Sequence, residues 1–221
     1  MKLKVIITGS TGMVGKGVLL ECIDSPEVEH ILVINRSPVG ITHPKLKEVI
    51  HKDFFNWSDV REHLEGYNAC FFCMGVSSVR MTEPDYRRMT YDLTLGFAKE
   101  VLAKNNDMTF CYVSGAGTDS TEQGRMMWAK VKGKTENDLL GLGFKDAYMF
   151  RPGFIQPMRG IKSKTALYQG IYNIISPLYG LLRRLPKYVT TTVVIGKAMI
   201  RVAMDGYDKK VLESVDINTF K

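Results

Sequence analysis

The sequence has few cysteines, no long uninterrupted apolar run and no low-complexity tract. Four cysteines in 221 residues are too few for a disulfide scaffold, although Cys70 and Cys73 are spaced C-x-x-C within the apolar run NACFFC. Residues three apart on a strand point to opposite faces, so neither a redox pair nor a metal pair is expected there. We predict buried free thiols in a reducing compartment and no metal site.

Nothing in the sequence indicates a membrane anchor or a linker between domains. The apolar start MKLKVIITGS is too short for a signal peptide, and the longest apolar candidate, ALYQGIYNIISPLYGLL, is interrupted by Gln, Asn, Pro and Gly. No Pro-, Gly- or Ser-rich stretch divides the chain, and 45% hydrophobic residues suffice for one core. We therefore expect a single domain, no membrane span and a cytoplasmic location.

The charge of the chain is weakly informative about partners. The formal net charge is +7, which favours anionic partners such as nucleotides or phosphorylated metabolites. No nucleic-acid-binding motif accompanies the basic residues, so a nucleic-acid partner is not expected.

Short apolar, β-branched runs alternate with helical patterns along most of the chain. The predicted strands are 3–8, 30–35, 47–52, 68–73, 108–114 and 147–151, and the predicted helices are 13–23, 57–65, 84–104 and 122–141. Strands that are apolar on both faces and separated by helices pair in parallel, with helices covering both sides. The pattern predicts an α/β fold with a doubly wound parallel sheet, the Rossmann fold.

The first predicted strand runs into the glycine-rich stretch TGSTGMVGKG. Gly9, Gly12 and Gly15 lie between that strand and the first helix, where they permit a tight turn, close approach of a ligand and close helix packing. The helix start offers unpaired N–H groups and the positive end of a dipole. This strand–turn–helix context predicts that the turn binds the pyrophosphate of a dinucleotide.

The end of the second predicted strand favours one dinucleotide over another. An acidic residue there usually accepts from the ribose 2′-OH of NAD, but this chain has Asn35, Arg36 and Ser37. An arginine pairs well with a 2′-phosphate, so NADP is the predicted cofactor and NAD the alternative. Asp53, just past the third strand, is placed to accept from an adenine amino group, and an ordinary loop aspartate is the equal alternative.

The C-terminal third departs from the regular alternation. Residues 152–190 are predicted to form a small helical lobe for substrate or partner binding, before a last helix at 192–205 and an edge strand in KKVLESVDI. Residues 1–221 would then form one NAD(P)-binding domain. Tyr168, Tyr172 and Tyr179 fit a substrate pocket, a self-association face or ordinary core equally well.

These motifs resemble those of the short-chain dehydrogenase/reductase superfamily, in its atypical or extended branch, over nearly the whole chain. The resemblance rests on TGSTGMVG, the NR after strand two, the Asp of HKDF, CMGVSS, YVSGAG, VKGKTE and RPG. The last four are most similar to the Tat-interacting-protein group and to NmrA-like proteins. Motif and resemblance together place the following residues at the dinucleotide: Thr8, Gly9, Thr11, Gly12, Met13, Val14, Gly15, Asn35, Arg36, Ser37, Asp53, Phe54, Met74, Gly75, Ser114, Lys132, Arg151, Pro152 and Gly153.

The resemblance also implies a catalytic set that this chain has only in part. Catalytic members carry a Ser after strand five and then Y-x-x-x-K; Ser114 and Lys132 match, but Trp128 stands where the Tyr is expected. An indole N–H cannot serve as a proton acid near neutral pH. Trp128, Lys132 and, one turn further, Glu136 are expected to face the cofactor.

Three functions are therefore compatible with the sequence. The first is an NADPH-dependent oxidoreductase acting on a quinone, a flavin or an activated alkene, which needs little acid catalysis. The second is a non-catalytic NADP(H)-binding redox sensor of NmrA type with a regulatory protein partner. The third is a carbonyl reductase or nucleotide-sugar epimerase whose acid is relocated, for example to Tyr112, Tyr168 or Tyr172. Helix-mediated homodimers occur in the family, so a second copy is also a candidate partner.

Overall fold

A seven-stranded parallel sheet forms the centre of the computed structural model, which describes residues 2–161 and 186–221. Its strands are β1 (Leu3–Thr8), β2 (Val28–Asn35), β3 (Leu46–Ile50), β4 (Ala69–Phe72), β5 (Thr109–Val113), β6 (Asp146–Arg151) and β9 (Val211–Glu213). The strand order is β3-β2-β1-β4-β5-β6-β9, with every pair parallel. Two short strands, β7 (Phe154–Gln156) and β8 (Val189–Thr191), form a separate parallel pair. The predicted doubly wound sheet is confirmed.

Helices connect the strands and cover the sheet. The described α-helices are α1 (Met13–Asp24), α2 (Glu83–Arg87), α3 (Leu93–Lys104), α4 (Met127–Leu140), α5 (Thr192–Asp205) and α6 (Ser214–Ile217). A π-helical turn at Arg88–Asp92 joins α2 to α3, and 3₁₀ turns lie at Ser58–Leu64 and Asn218–Phe220.

Each face of the sheet has its own apolar core. Ile7 of β1 points to the face covered by α1 and α5, where it joins a cluster with Val18 and Ile195. Its neighbour Ile6 points to the other face and joins Phe97 and Leu139, from α3 and α4. Side chains alternate along a strand, so a strand buried on both sides reads as the continuous apolar run seen in the sequence.

Two contacts fix helix α1 in place. At Gly17 and Gly196 the helices α1 and α5 approach so closely that an added Cβ would lie 2.5 Å from the Cβ of Thr192 or 2.7 Å from the Cγ of Glu21, respectively. At the C-terminus of α1, the Lys45 ammonium donates to the carbonyls of Ile23 at 2.9 Å and Ser25 at 2.7 Å. A cation at this end complements the helix dipole. These contacts hold α1 against α5 and fix its C-terminal end.

The predicted helices differ from the observed ones mainly in type and boundary. The segment predicted as a helix at 57–65 is a 3₁₀ turn, and the one at 84–104 changes to π geometry in the middle. The helix predicted at 122–141 begins only at Met127, because Asp119 stabilises a turn before it. Its carboxylate accepts from the backbone N–H groups of Thr121 at 3.0 Å and Gly124 at 2.7 Å. The predicted last helix and edge strand are confirmed as α5 and β9.

Most of the lobe predicted at 152–190 lies outside the described residues, including Tyr168, Tyr172 and Tyr179. Within residues 2–161 and 186–221, none of the helices has the length and apolar character needed to cross a membrane.

Candidate functional site

The predicted site residues gather at one edge of the sheet. Because all neighbouring strands are parallel, the loops that follow β1 to β6 emerge at the same edge. The strand order reverses direction at β1 and β4, where such sheets form a crevice for ligands. The glycine loop lies at this reversal, with the ends of β2 and β3 on one side and of β5 and β6 on the other.

The glycine loop has no room for side chains at its first and third glycines. Gly9 has a φ of 71°, and a Cβ there would lie 2.8 Å from the carbonyl carbon of Cys73. A Cβ on Gly15 would lie 2.3 Å from the Gly9 carbonyl oxygen. The Gly12 N–H donates to that same oxygen at 2.9 Å, which closes the turn. Glycine is therefore required here for backbone conformation and for packing.

The start of α1 is suited to an anion. Gly12 is the N-cap and supplies no side-chain cap, and the first turn of the helix contains no acidic residue. The N–H groups of this turn have no intrahelical acceptor, and the helix dipole places partial positive charge beside them. This arrangement fits the pyrophosphate of a dinucleotide.

A polar network links the glycine loop to the ends of β2 and β3. The Ser10 hydroxyl donates to Asn35 Oδ1 at 2.9 Å, and Asn35 Nδ2 donates to Glu48 Oε1 at 2.8 Å. Asn35 is only 2% exposed, so its side-chain amide bonds within the protein. Arg36 and Ser37 beside it are exposed. Glu48 was missed in the sequence because a glutamate inside a predicted strand gives no sign that it reaches a neighbouring loop.

The loops after β3 and β4 border the same side of the crevice. Asp53 is exposed, and its Oδ1 accepts from the Phe55 N–H at 3.0 Å. The Phe54 ring is buried against His51 and Trp57, so it supports the loop from inside. Gly75 is exposed, with no other atom within 4 Å of a Cβ built on it.

On the other side of the crevice, Ser114 is turned into the protein. The residue is 4% exposed; its hydroxyl donates to the Glu136 carboxylate, and the Phe150 carbonyl lies 3.1 Å away as a second acceptor. A serine that held a substrate oxygen would have to exchange these partners. The sequence places Ser114 at the end of β5 but cannot show where its hydroxyl points.

Glu136 is the centre of a buried ion pair. The carboxylate is 1% exposed, and Arg151 Nε lies 3.0 and 3.1 Å from its two oxygens. Arg151 also reaches Glu213 on β9 at 3.4 Å. The expectation that Glu136 faces the cofactor is wrong, since it points inward and neutralises Arg151.

Lys132 and Trp128 border the crevice from helix α4. The Lys132 ammonium donates to the Ser114 carbonyl, and burial lowers the pKa of the ammonium to about 8 against an opposing effect of Glu136. Gly115 has a φ of 130°, and a Cβ added to it would lie 3.9 Å from Lys132 Nζ. Trp128 is half-buried, and its ring would lie 3.3 Å from a Cβ added to Gly117.

The Arg-Pro-Gly segment after β6 uses its polar groups within the protein. The Pro152 carbonyl accepts from the Ala116 N–H at 2.9 Å, and the Gly153 N–H donates to Ser214 Oγ at 2.7 Å. The Arg151 guanidinium is engaged with Glu136. This segment fixes the loop that carries Ser114, and contact of these groups with a dinucleotide would require displacing internal bonds.

Other surface features of the described residues are chemically plain. They contain no group of His, Cys, Asp and Glu side chains that could hold a metal ion. A depression of about 610 Å³ lies near the C-terminal ends of α1 and α5, far from the glycine loop, and is bordered by Glu21, Lys197 and Arg201. The depression is lined by charges of both signs, among them the ion pair between Arg201 and Glu27.

The α/β Rossmann-like fold is shared with solved structures of short-chain dehydrogenases. A short-chain dehydrogenase family protein from Francisella tularensis matches with a TM-score of 0.65 at 12% identity, over 93% of both chains. The Bordetella bronchiseptica enzyme WbmF, solved with NAD+, matches with a TM-score of 0.68 at 12% identity, over 99% of this chain and 77% of that one. At this identity the likeness establishes the architecture and leaves the chemistry open.

The relatives found by sequence are FMP52 proteins, a name that does not state an activity. The mitochondrial protein FMP52 of Debaryomyces hansenii is 28% identical over 201 residues, 90% of this chain and 84% of the relative. FMP52 of Candida albicans is 24% identical over 96% of this chain and 92% of the relative. No family model matches the chain. The narrower resemblance to Tat-interacting and NmrA-like proteins, and the reading of Trp128 as a replaced Tyr, stay predictions.

The cytoplasmic location expected from the sequence is contradicted by these relatives, which are described as mitochondrial. The expectation rested on the absence of a secretory signal and of a membrane span. Both absences are equally compatible with a mitochondrial compartment, so they did not discriminate between the two locations.

Proposed function

We propose that this protein binds NADP(H) at the glycine loop and acts as an NADPH-dependent oxidoreductase on acceptors that need no tyrosine acid. A quinone, a flavin or an activated alkene belongs to this class. The observation that carries the proposal is a contrast within one crevice. The start of α1 is uncapped and glycine-lined, whereas the reaction side has Trp128 and Lys132 but no tyrosine among the described residues at the expected position.

The residues present fit the cofactor. The N–H groups at the start of α1 would hold the pyrophosphate, and the exposed Arg36 would pair with a 2′-phosphate. Lys132, whose ammonium lies near Gly115 at the end of β5, would donate to ribose hydroxyls. NADPH supplies a hydride when bound.

The missing proton donor restricts the acceptor. Ketones and aldehydes gain roughly 10²–10⁴-fold in rate from a positioned general acid. Trp128 cannot provide a proton near neutral pH, and the Ser114 hydroxyl is bonded to Glu136. A quinone or flavin accepts hydride into a conjugated system and takes its proton from solvent, so it depends least on the missing group.

The buried Ser114 favours a second candidate function, an NADP(H)-binding sensor without chemistry. A hydroxyl that already donates to Glu136 and lies beside the Phe150 carbonyl leaves a substrate carbonyl without its usual donor. The protein would then report the redox state of the NADP pool to a protein partner.

A carbonyl reductase or epimerase with a relocated acid is the least favoured alternative. Tyr112, the candidate on β5, is 2% exposed, and burial raises the pKa of its phenol. It contacts no open space from which a substrate could take a proton. Tyr168 and Tyr172 lie outside the described residues.

The experiment is an NADPH-oxidation panel run on the wild type, Trp128→Tyr and Trp128→Phe. The acceptors are a quinone, a free flavin, an enone and an aldehyde, and NADPH binding is measured first by calorimetry. We expect the wild type to oxidise NADPH with at least one of the first three and to be poor with the aldehyde. Trp128→Tyr should raise aldehyde reduction roughly 10²-fold, because it restores a hydroxyl next to Lys132.

Trp128→Phe is the matched control, since it removes the indole without adding a hydroxyl. If Trp128→Phe gained aldehyde reduction as Trp128→Tyr does, the gain would come from the space that the indole leaves and not from the added hydroxyl. Binding of NADPH with no turnover in the panel would favour the sensor. Absence of NADP(H) binding would refute both functions.

Because this chain is similar to the mitochondrial FMP52 proteins, we also propose that it is located in mitochondria. Fractionation of cells that express the tagged chain should recover it with mitochondrial markers, and recovery with cytosolic markers alone would refute the proposal.

A further inference from the structure

One oxygen of Glu48 holds both ends of the segment that carries Arg36. Glu48 Oε1 accepts from Asn35 Nδ2 at 2.8 Å and from the Val39 backbone N–H at 2.9 Å. Asn35 and Val39 flank residues 36–38, and both are buried. The three residues between them are exposed. The carboxylate therefore closes a short loop whose exposed part contains Arg36.

The same network reaches the pyrophosphate side of the crevice. Asn35 Oδ1 accepts from the hydroxyl of Ser10, which lies inside the glycine loop and is fully buried. A chain of hydrogen bonds thus runs from the glycine loop through Asn35 to Glu48 on β3. Hydrogen bonds to a charged acceptor are stronger than neutral ones, and this one is shared between two donors.

We propose that Glu48 is a positioning residue for dinucleotide selectivity, because it orders the 36–38 loop and so places the Arg36 guanidinium for a 2′-phosphate. The inference rests on the proposed NADP(H) binding and extends it to a residue that does not itself touch the phosphate. Ordering the backbone that carries Arg36 before binding reduces the entropy lost on binding. NAD lacks the 2′-phosphate, and the bond between Ser10 and Asn35 at the glycine loop does not involve Glu48, so NAD binding should be nearly indifferent to this ordering.

The Glu48 carboxylate would also place a negative charge near a 2′-phosphate bound by Arg36. Substitution by glutamine distinguishes the effect of this charge from the effect of the hydrogen bonds. Glu48→Gln keeps an acceptor oxygen for Asn35 and Val39 but removes the charge. Glu48→Ala removes both. If ordering is the role of Glu48, the glutamine variant should bind NADPH at least as tightly as the wild type.

The test is calorimetric titration of NADPH and NADH into the wild type, Glu48→Ala, Glu48→Gln, Arg36→Ala and the Glu48→Ala/Arg36→Ala double variant. Glu48→Ala should weaken NADPH binding roughly tenfold, as expected for the net loss of about one hydrogen bond that orders the loop. Its NADH affinity should change by no more than about twofold, and Glu48→Gln should restore NADPH binding. In the Arg36→Ala background Glu48→Ala should have little further effect, since contacts within one network are not additive.

Equal weakening of both cofactors by Glu48→Ala, failure of Glu48→Gln to restore binding, or additive effects in the double variant would each overturn the inference. If Glu48→Ala does not fold, Glu48→Asp withdraws the oxygen while keeping the charge and carries the same expectations. A wild type that binds neither cofactor would overturn the proposed function and, with it, this inference. A wild type that prefers NADPH, with its selectivity unchanged in Glu48→Ala, would overturn the inference alone.

Discussion

The two sides of the crevice differ in where their polar groups point. On the side of β1 to β3, the N–H groups at the start of α1 lack a side-chain cap, and Arg36 is exposed. On the side of β5 and β6, Ser114, Glu136 and Arg151 bond to one another inside the protein. Polar groups on the first side are therefore exposed or uncapped, whereas those on the second side are bonded within the protein.

This difference separates binding from chemistry. A dinucleotide can be held by backbone N–H groups, a helix dipole and one or two cations, and these depend on the glycine loop. Proton transfer needs a particular side chain within hydrogen-bond reach of the reacting atom. A chain can therefore keep the first set of groups without the second.

The largest expected effect tests whether the Glu136–Arg151 pair is structural. Glu136→Ala leaves the Arg151 guanidinium buried without its main partner, which should lower the free energy of unfolding by roughly 3–5 kcal/mol. Chemical denaturation at neutral pH measures this. Glu65→Ala is the control, because Glu65 lies at the surface, 3.8 Å from Lys104, and such pairs contribute about 1 kcal/mol or less. Equal losses in the two variants would contradict the structural role.

A matched pair of glycine substitutions tests the binding side. Gly15→Ala places a Cβ 2.3 Å from the Gly9 carbonyl oxygen, so the loop must shift, and we expect NADPH affinity to fall roughly 100-fold, about 2.7 kcal/mol. Gly96→Ala adds the same atom to α3, where nothing lies within 4 Å, and should stabilise the helix by about 0.5–1 kcal/mol. Calorimetric titration and thermal melting measure both. Unchanged NADPH affinity in Gly15→Ala would remove the glycine loop from the site.

The features that follow from local pattern were predictable from the sequence. Ile6 and Ile7 show why: each strand buried on both faces leaves a continuous apolar run, and the helices between them force parallel pairing. Gly9 and Gly15 sit where the turn demands them, so the glycine loop could be located without the structure. The boundary of α4 could not, since it depends on the bonds that Asp119 makes with the turn before it.

The polar partners across elements were not predictable. Glu136 was expected to share a face with Trp128, but eight residues along a helix of 3.6 residues per turn correspond to a rotation of about 80° from that face. That rotation points it at Arg151 on β6. Glu48 and Asn35 likewise meet only because β2 and β3 are neighbours in the sheet. Such pairings depend on the assembled sheet and leave no periodic signal in the chain.

The smallest expected effect is a pH dependence carried by Lys132, which lies between the two sides. Burial lowers the pKa of its ammonium to about 8, below the ordinary value of a lysine, while the Glu136 carboxylate opposes the shift. Between these two pKa values the unfolded chain binds more protons than the folded one, so this residue makes the protein more stable as the pH rises. The penalty is fully present below about pH 8 and is relieved toward pH 10.

Comparing the wild type with Lys132→Met isolates this contribution. From pH 7 to pH 10, the difference in unfolding free energy should move in favour of the wild type by roughly 1–3 kcal/mol. Lys130→Met, on the same helix and near Glu83, controls for the loss of a lysine charge. A difference that stays constant over this range would mean that Lys132 is solvated in the folded protein. Its ammonium would then not be held in the crevice, and the link drawn between Lys132 and the ribose would lose its structural basis.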